Sequence, residues 1–351
     1  MSLAVALVVF VASAAALMGA GAMLATAGDE LAEKTGLGGL FVGALIVGLA
    51  TSLPEIATDV PAGVAGAPDL AVADLFGSSM ANMAILAIID LHHRGGVWPA
   101  VELGHARVAA VAIMLTSLAV LGTLVPPRIT LGWVGPETVL IAVLYVAAMA
   151  WLRRSPLAGG SQSGALASLA VAADHETAGL AVPGGAVVER AKRRPSRYPT
   201  MVRFVIATVG ILVSAPLVAL SAKEIADASG VGQTLIGSSL MAVSTSLPEL
   251  IVALAAVRIG AHDLAVGNLF GSNAVNMSLL VILDAVHTEG PILAAIDPAQ
   301  TTAAVGAILM MALAVAAIVG GTETRIRRLE PDAVMVLVAY VGMLVAVALA
   351  T

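Results

Sequence analysis

Cysteine is absent from the 351 residues, which excludes disulfides, cysteine-ligated zinc and iron–sulfur clusters. Charge is scarce: 11% of residues are charged, against about 25% in ordinary soluble domains. Aromatics make up only 3%, so aromatic belts at a membrane interface are thin. Histidine occurs six times, mostly in polar connectors and without metal-ligand spacing. These shortages leave no nucleic-acid-binding pattern, no cofactor motif and no catalytic constellation. Hydrophobic residues fill the space, at 59% of the chain and a mean hydropathy of +1.00. A surplus this large along the whole length implies lipid as the solvent. The 35 glycines suit close packing of membrane helices.

Ten hydrophobic stretches can be marked, at roughly 3–26, 37–65, 70–91, 100–125, 131–152, 201–222, 231–257, 264–286, 297–320 and 332–350. The first runs on from an N-terminus without a basic region, so it is expected to be a membrane helix rather than a cleaved leader. The expected fold is an all-α membrane protein with ten transmembrane helices. Residues 1–152 form one five-helix half and 201–351 the other, joined by a polar loop, 153–200. That loop ends in a basic cluster at Arg190, Lys192, Arg193, Arg194 and Arg197. With both termini placed outside, fifteen of the seventeen Lys and Arg fall on the inside, and only Arg128 and Lys223 lie outside. The positive-inside rule then predicts a cytoplasmic central loop in a cell inner (plasma) membrane.

Shifted by 194, the sequence matches itself. Thr51-Ser52-Leu53-Pro54-Glu55 falls on Thr245-Ser246-Leu247-Pro248-Glu249, Asp69 on Asp263, Leu75-Phe76-Gly77-Ser78 on Leu269-Phe270-Gly271-Ser272, and Asn82-Met83 on Asn276-Met277. Five helices per half is an odd number, so the second half enters the membrane in the opposite sense. The repeats are therefore inverted, an arrangement common among secondary transporters.

Glu55 and Glu249 each lie deep in an apolar segment, where burying a carboxylate costs at least about 2.5 kcal/mol. A cation would offset that cost. Thr51 and Ser52 stand four and three residues before Glu55 and share its helical face. Pro54 returns no amide hydrogen to the Ala50 carbonyl, nor Pro248 to that of Ser244. Ser78 and Ser272 offer hydroxyls, and Asn82 and Asn276 follow one turn later. The pooled donors are all oxygen or amide, a set suited to hard cations such as Ca²⁺ and Na⁺. Asp69 and Asp263 are expected to cap helices. His92, His93, His105 and the Asp174-His175-Glu176 cluster are expected in solvated loops.

Paired T-S-x-P-E and G-N-x-x-G-S-N-x-x-N motifs in a ten-helix chain resemble the α-repeats of the sodium/calcium exchangers, in the cation/calcium antiporter superfamily. The short-loop prokaryotic branch is the most similar. The resemblance implies no enzyme activity and no cofactor. It implies transported Ca²⁺ and Na⁺, inorganic cations and the lipid bilayer as the only partners, and function as a monomer. Glu55 and Glu249 would be the central carboxylates. Thr51 and Thr245 would supply backbone carbonyls, Ser52, Ser246, Ser78 and Ser272 hydroxyls to sodium, and Asn82 and Asn276 would line the centre. The first and sixth helices would slide to alternate access. Rival readings are a proton-coupled or Mg²⁺, Mn²⁺ or K⁺-linked antiporter on this fold, and a cation channel.

Repeat 1 departs from the pattern. Asp74 and Ser79 stand where repeat 2 has Asn268 and Asn273, and Asp59 corresponds to Ala253. The two extra acids could add a cation or proton site, or draw cations to the entrance.

Overall fold

The computed structural model describes residues 2–92, 97, 104–125, 127, 129–154, 198–229, 245–320 and 331–350. The described chain is helical, and its one β pairing is the isolated Leu131–Val134 bridge. Eight helices are long and apolar enough to cross a membrane, and a bent pair makes a ninth span. Of the expected 231–257 span, the described part is the helix Leu247–Arg258. Its first half, the basic cluster at 190–197, the 174–176 cluster and His93 lie outside the described residues.

Helix α1 runs Leu3–Thr35, well past the expected end at 26. Asp29, Glu30, Glu33 and Lys34 add polar turns to an apolar helix, which stops where Gly36 adopts φ 68° and its N–H caps the Ala32 carbonyl. At about 1.5 Å per residue, such a helix is longer than the hydrocarbon core is thick and must tilt or protrude. The next span is broken. It comprises α2 (Gly38–Phe41), a π-helical turn (Val42–Val47), α3 (Gly48–Thr51) and α4 (Leu53–Val64), bent by 45° at Ser52. There follow α5 (Pro68–His92), α6 (Gly104–Leu124) and α7 (Pro136–Arg154). Helix α7 starts five residues later than expected, because Gly132 at φ 70° closes a turn and Pro136 opens the helix.

Repeat 2 contributes α8 (Thr200–Ser229), α9 (Leu247–Arg258), α10 (His262–Val286), the short α11 (Ile292–Ala295), α12 (Pro298–Gly320) and α13 (Pro331–Ala350). Burial separates the spans by role. The motif helices α5 and α10 are the most deeply enclosed. Helices α1, α8 and α13 expose long apolar stripes, such as Val5, Val8 and Val11, Val205, Val209 and Val213, and Val338, Val341 and Val345. With lipid as solvent such stripes are the expected outer surface.

Helix α1 lies along α8 as its main partner. Arg203 of α8 meets Glu30 of α1 at 2.7 Å, and the Thr200 hydroxyl donates to the same carboxylate at 2.8 Å. Helix α10 runs against the broken span of repeat 1 at backbone distance. A Cβ at Gly43 would stand 2.6 Å from the Leu264 carbonyl oxygen, one at Gly267 2.8 Å from that of Leu40, and one at Gly271 would collide with the Ala44 backbone.

Two expectations are corrected. Asp69 and Asp263 lie inside the first turns of α5 and α10 and do not cap them. Each reaches instead to the start of a helix in the other repeat: Asp69 accepts from the Asp297 amide, and Asp263 meets Nε2 of His105 at 2.9 Å. His105 is accordingly not a solvated loop residue but fully buried in the first turn of α6. His92 is exposed as expected but closes helix α5 and does not lie in a loop.

Candidate functional site

The bend after Thr51 begins with proline chemistry. Pro54 and Pro248 occupy the first turns of α4 and α9, the position where a missing amide hydrogen costs least. One residue later stands each glutamate. Glu55 and Glu249 therefore sit at the N-terminal ends of half-helices, where unpaired N–H groups and the helix dipole favour negative charge. Both are fully buried. They lie close enough for their charges to act on each other.

Their hydrogen bonding is sparse. Neither Glu55 oxygen has a hydrogen-bond partner among the described residues. Glu249 Oε1 accepts a long bond from Ser272 Oγ, 3.4 Å, and Oε2 has none. Buried polar atoms are normally satisfied. Among the described residues the orphans here are both Glu55 oxygens, Glu249 Oε2, Ser52 Oγ, Ser246 Oγ, Asn82 Oδ1 and both side-chain polar atoms of Asn276.

Around Thr51 and Thr245 the side chains repeat one triangle. The Thr51 hydroxyl lies 3.1 Å from Asn268 Oδ1 and 3.2 Å from Ser272 Oγ. The Thr245 hydroxyl lies 3.1 Å from Asp74 Oδ1 and 3.2 Å from Ser78 Oγ. The first joins the broken span of repeat 1 to α10, and the second joins Thr245, just before α9, to α5. Their difference is chemical: an amide in one, a carboxylate in the other.

The centre is less symmetric. Asn82 Nδ2 donates to Asn273 Oδ1 at 2.8 Å, and Asn273 Nδ2 donates to the Ser79 carbonyl at 3.2 Å. Asn82 is thereby held with its oxygen free. The mirror position of Asn273 is Ser79, whose hydroxyl turns back to the Leu75 carbonyl at 2.8 Å. Asn276 is left unclamped. Asn273 was missed as a supporting residue from sequence; the signal was there, as one of the two Asn of its motif that repeat 1 replaces, Asn268 by Asp74 and Asn273 by Ser79.

Thr51, Ser52, Glu55, Ser78, Asn82, Thr245, Ser246, Glu249, Ser272 and Asn276 are all buried, and contacts link Thr51 to Ser272, Ser272 to Glu249 and Thr245 to Ser78. Asp59 and Asp74 are buried beside them, their carboxyls within hydrogen-bonding reach of each other. Among the described residues no three Asp, Glu or His side chains converge as a metal cluster. A cation here needs hydroxyl, amide and carbonyl oxygens to complete its shell.

Comparison with known proteins identifies the family and the fold. The family model described as sodium/calcium exchanger protein matches residues 5–153 and again 200–349. The inner membrane protein YrbG of Escherichia coli (strain K12) is 28% identical over 77% of this chain and 76% of its own. The sodium/calcium exchanger MaX1 of Methanosarcina acetivorans is 38% identical over 77 residues, 22% of each chain. A solved structure of the sodium-calcium exchanger NCX_Mj superposes with a TM-score of 0.68 at 21% identity, covering 97% of this chain and 98% of that one.

Proposed function

Because the chain belongs to the sodium/calcium exchanger protein family, we propose that it exchanges Ca²⁺ for Na⁺ by alternating access at a site between its two halves. The chain is a multi-pass membrane antiporter of the cation/calcium class and not an enzyme. The finer reading rests above all on one observation. Two fully buried glutamates, each opening a half-helix, meet among hydroxyls and amides whose polar atoms are largely unpaired. A cation discharges both carboxylates and completes those bonds.

The assignments follow from this. Glu55 and Glu249 neutralise the ion; one Ca²⁺ or two Na⁺ balance their charge of −2. Ser52, Ser246, Ser78 and Ser272 offer hydroxyls, and Asn82 and Asn276 line the centre. The Thr51 and Thr245 hydroxyls are engaged in the triangles, which leaves their backbone carbonyls as the ion-facing groups. Carbonyls unpaired at a broken helix are suitable cation ligands. Helices α1 and α8, tied to each other at Glu30 and Arg203, form the moving pair. The charge distribution supports both termini outside and residues 153–200 cytoplasmic between the halves 1–152 and 201–351; an inner-membrane location and a working monomer belong to the same proposal.

The test is ⁴⁵Ca²⁺ uptake into Na⁺-loaded liposomes. Uptake that collapses when the Na⁺ gradient is removed, and in Glu55→Gln or Glu249→Gln, is expected. Uptake driven by a pH gradient without Na⁺ would replace this reading with proton coupling.

A further inference from the structure

The two Thr-centred triangles have the same distances but not the same charge. The one joining Thr51, Asn268 and Ser272 is neutral, while the one joining Thr245, Asp74 and Ser78 carries a carboxylate. Asp59 adds a second acid to the charged side alone, since repeat 2 has Ala253 at that place. Both acids lie toward the end of the bundle where α4 finishes and α5 begins: Asp59 one turn beyond Glu55 in α4, and Asp74 in the second turn of α5.

Each acid accepts a threonine hydroxyl through Oδ1, and the two carboxyls also reach each other. Asp59 Oδ1 accepts from the Thr58 hydroxyl and Asp74 Oδ1 from that of Thr245, while Oδ2 of each has no partner among the described residues. The pair is 1% and 4% exposed. Independently, Glu55, fully buried and without a side-chain partner, lines the same narrow crevice as Asp59, walled by Leu279 and Leu283 of α10. Among the described residues no Lys or Arg acts on these acids. Two buried carboxyls within reach of each other, uncompensated by a cationic side chain, are costly unless a shared proton or a metal ion joins them.

We propose that Asp59 and Asp74, with the Thr245 hydroxyl, form a second divalent-cation site beside Glu55, on the side of the bundle where α4 ends and α5 begins. Two carboxylates match one divalent ion, and four match two. The four acids Glu55, Asp59, Asp74 and Glu249 thus hold a pair of divalent ions, one central and one displaced along α4. In the orientation proposed above the second ion waits on the external side. The inference shares with the proposed function only the premise that hard cations bind at Glu55 and Glu249.

Equilibrium binding of ⁴⁵Ca²⁺ to the purified full chain in Na⁺-free buffer tests it. Two ions per chain are expected for the wild type and one for the Asp59→Ala/Asp74→Asn double variant, which gives repeat 1 the residues of repeat 2. Glu55→Gln/Glu249→Gln is expected to retain one. If the double variant binds none, the near-isosteric Asp74→Asn alone decides: one ion supports the site and two overturn it. A wild type that binds a single ion overturns the second site and leaves the central one standing; two ions in the double variant overturn it as well. No binding by the wild type overturns both readings.

Discussion

A carboxylate and an amide differ by one charge and almost nothing in shape, yet the two halves of this protein diverge at that level. Asn268 and Asp74 occupy the same corner of the same triangle. Asn273 and Ser79 mirror each other, but only the amide is long enough to bridge to a neighbouring helix. Asn273 acts through Asn82 and is a positioning residue. Asn273→Ala strands the Asn82 amide, and an unsatisfied buried donor costs roughly 1–3 kcal/mol. The expected result is a Ca²⁺ affinity weaker by about tenfold, which corresponds to about 1.4 kcal/mol, with Na⁺ competition altered in parallel. Asn273→Gln, which keeps the amide, is expected to recover part of it. A variant that melts earlier but binds Ca²⁺ normally would assign Asn273 to stability alone.

Elements set where these residues stand. The Thr-Ser-Leu-Pro-Glu pentapeptide contains its own reason to break a helix, because proline withholds the hydrogen bond that the Ala50 carbonyl would receive. The bend at Ser52 and the first-turn positions of Glu55 and Glu249 follow from it. Pro54→Ala restores that donor, so weaker Ca²⁺ binding in a chain of equal or higher thermal stability is expected. Glycine works in the opposite direction, by removing bulk. Helix α10 approaches the broken span through Gly267 and Gly271, opposite Gly43 and Ala44. Gly271→Ala has no room for its Cβ, and overpacking of this kind costs about 1–3 kcal/mol. A lowered melting temperature in detergent, together with impaired exchange, is the expected reading.

At the scale of the molecule, apolar faces point outward on α1, α8 and α13 while polar residues gather around α5 and α10. The Glu30–Arg203 pair joins α1 to α8 at one end and is mostly buried, its side chains 20% and 12% exposed. Charge-assisted bonds contribute about 1.5–3 kcal/mol, so Glu30→Gln is expected to lower stability and slow exchange while leaving equilibrium Ca²⁺ binding near that of the wild type. The absence of cysteine makes sidedness easy to measure. Ile129→Cys is expected to react with an impermeant maleimide from outside intact cells, and Ser161→Cys only after permeabilisation. The reverse pattern would invert the proposed orientation.

Much of this was legible in the chain itself. Composition selected lipid as the solvent, the 194-residue shift revealed the repeat, and each pentapeptide encoded a buried acid beside a helix break. Those features depend on residue type and spacing within one element, which a linear pattern carries. The rest depended on how elements rotate against one another. Asn82 and Asn273 stand 191 positions apart, and His105 and Asp263 158 apart. His105 looked like a loop residue because nothing near it in sequence shows that α6 tucks its first turn against α10. Likewise the sequence announced that Asp59 and Asp74 were extra, but not that they would meet. Hydrogen bonds and charge pairs act over a few ångströms, and only the packed bundle decides which residues come within that range.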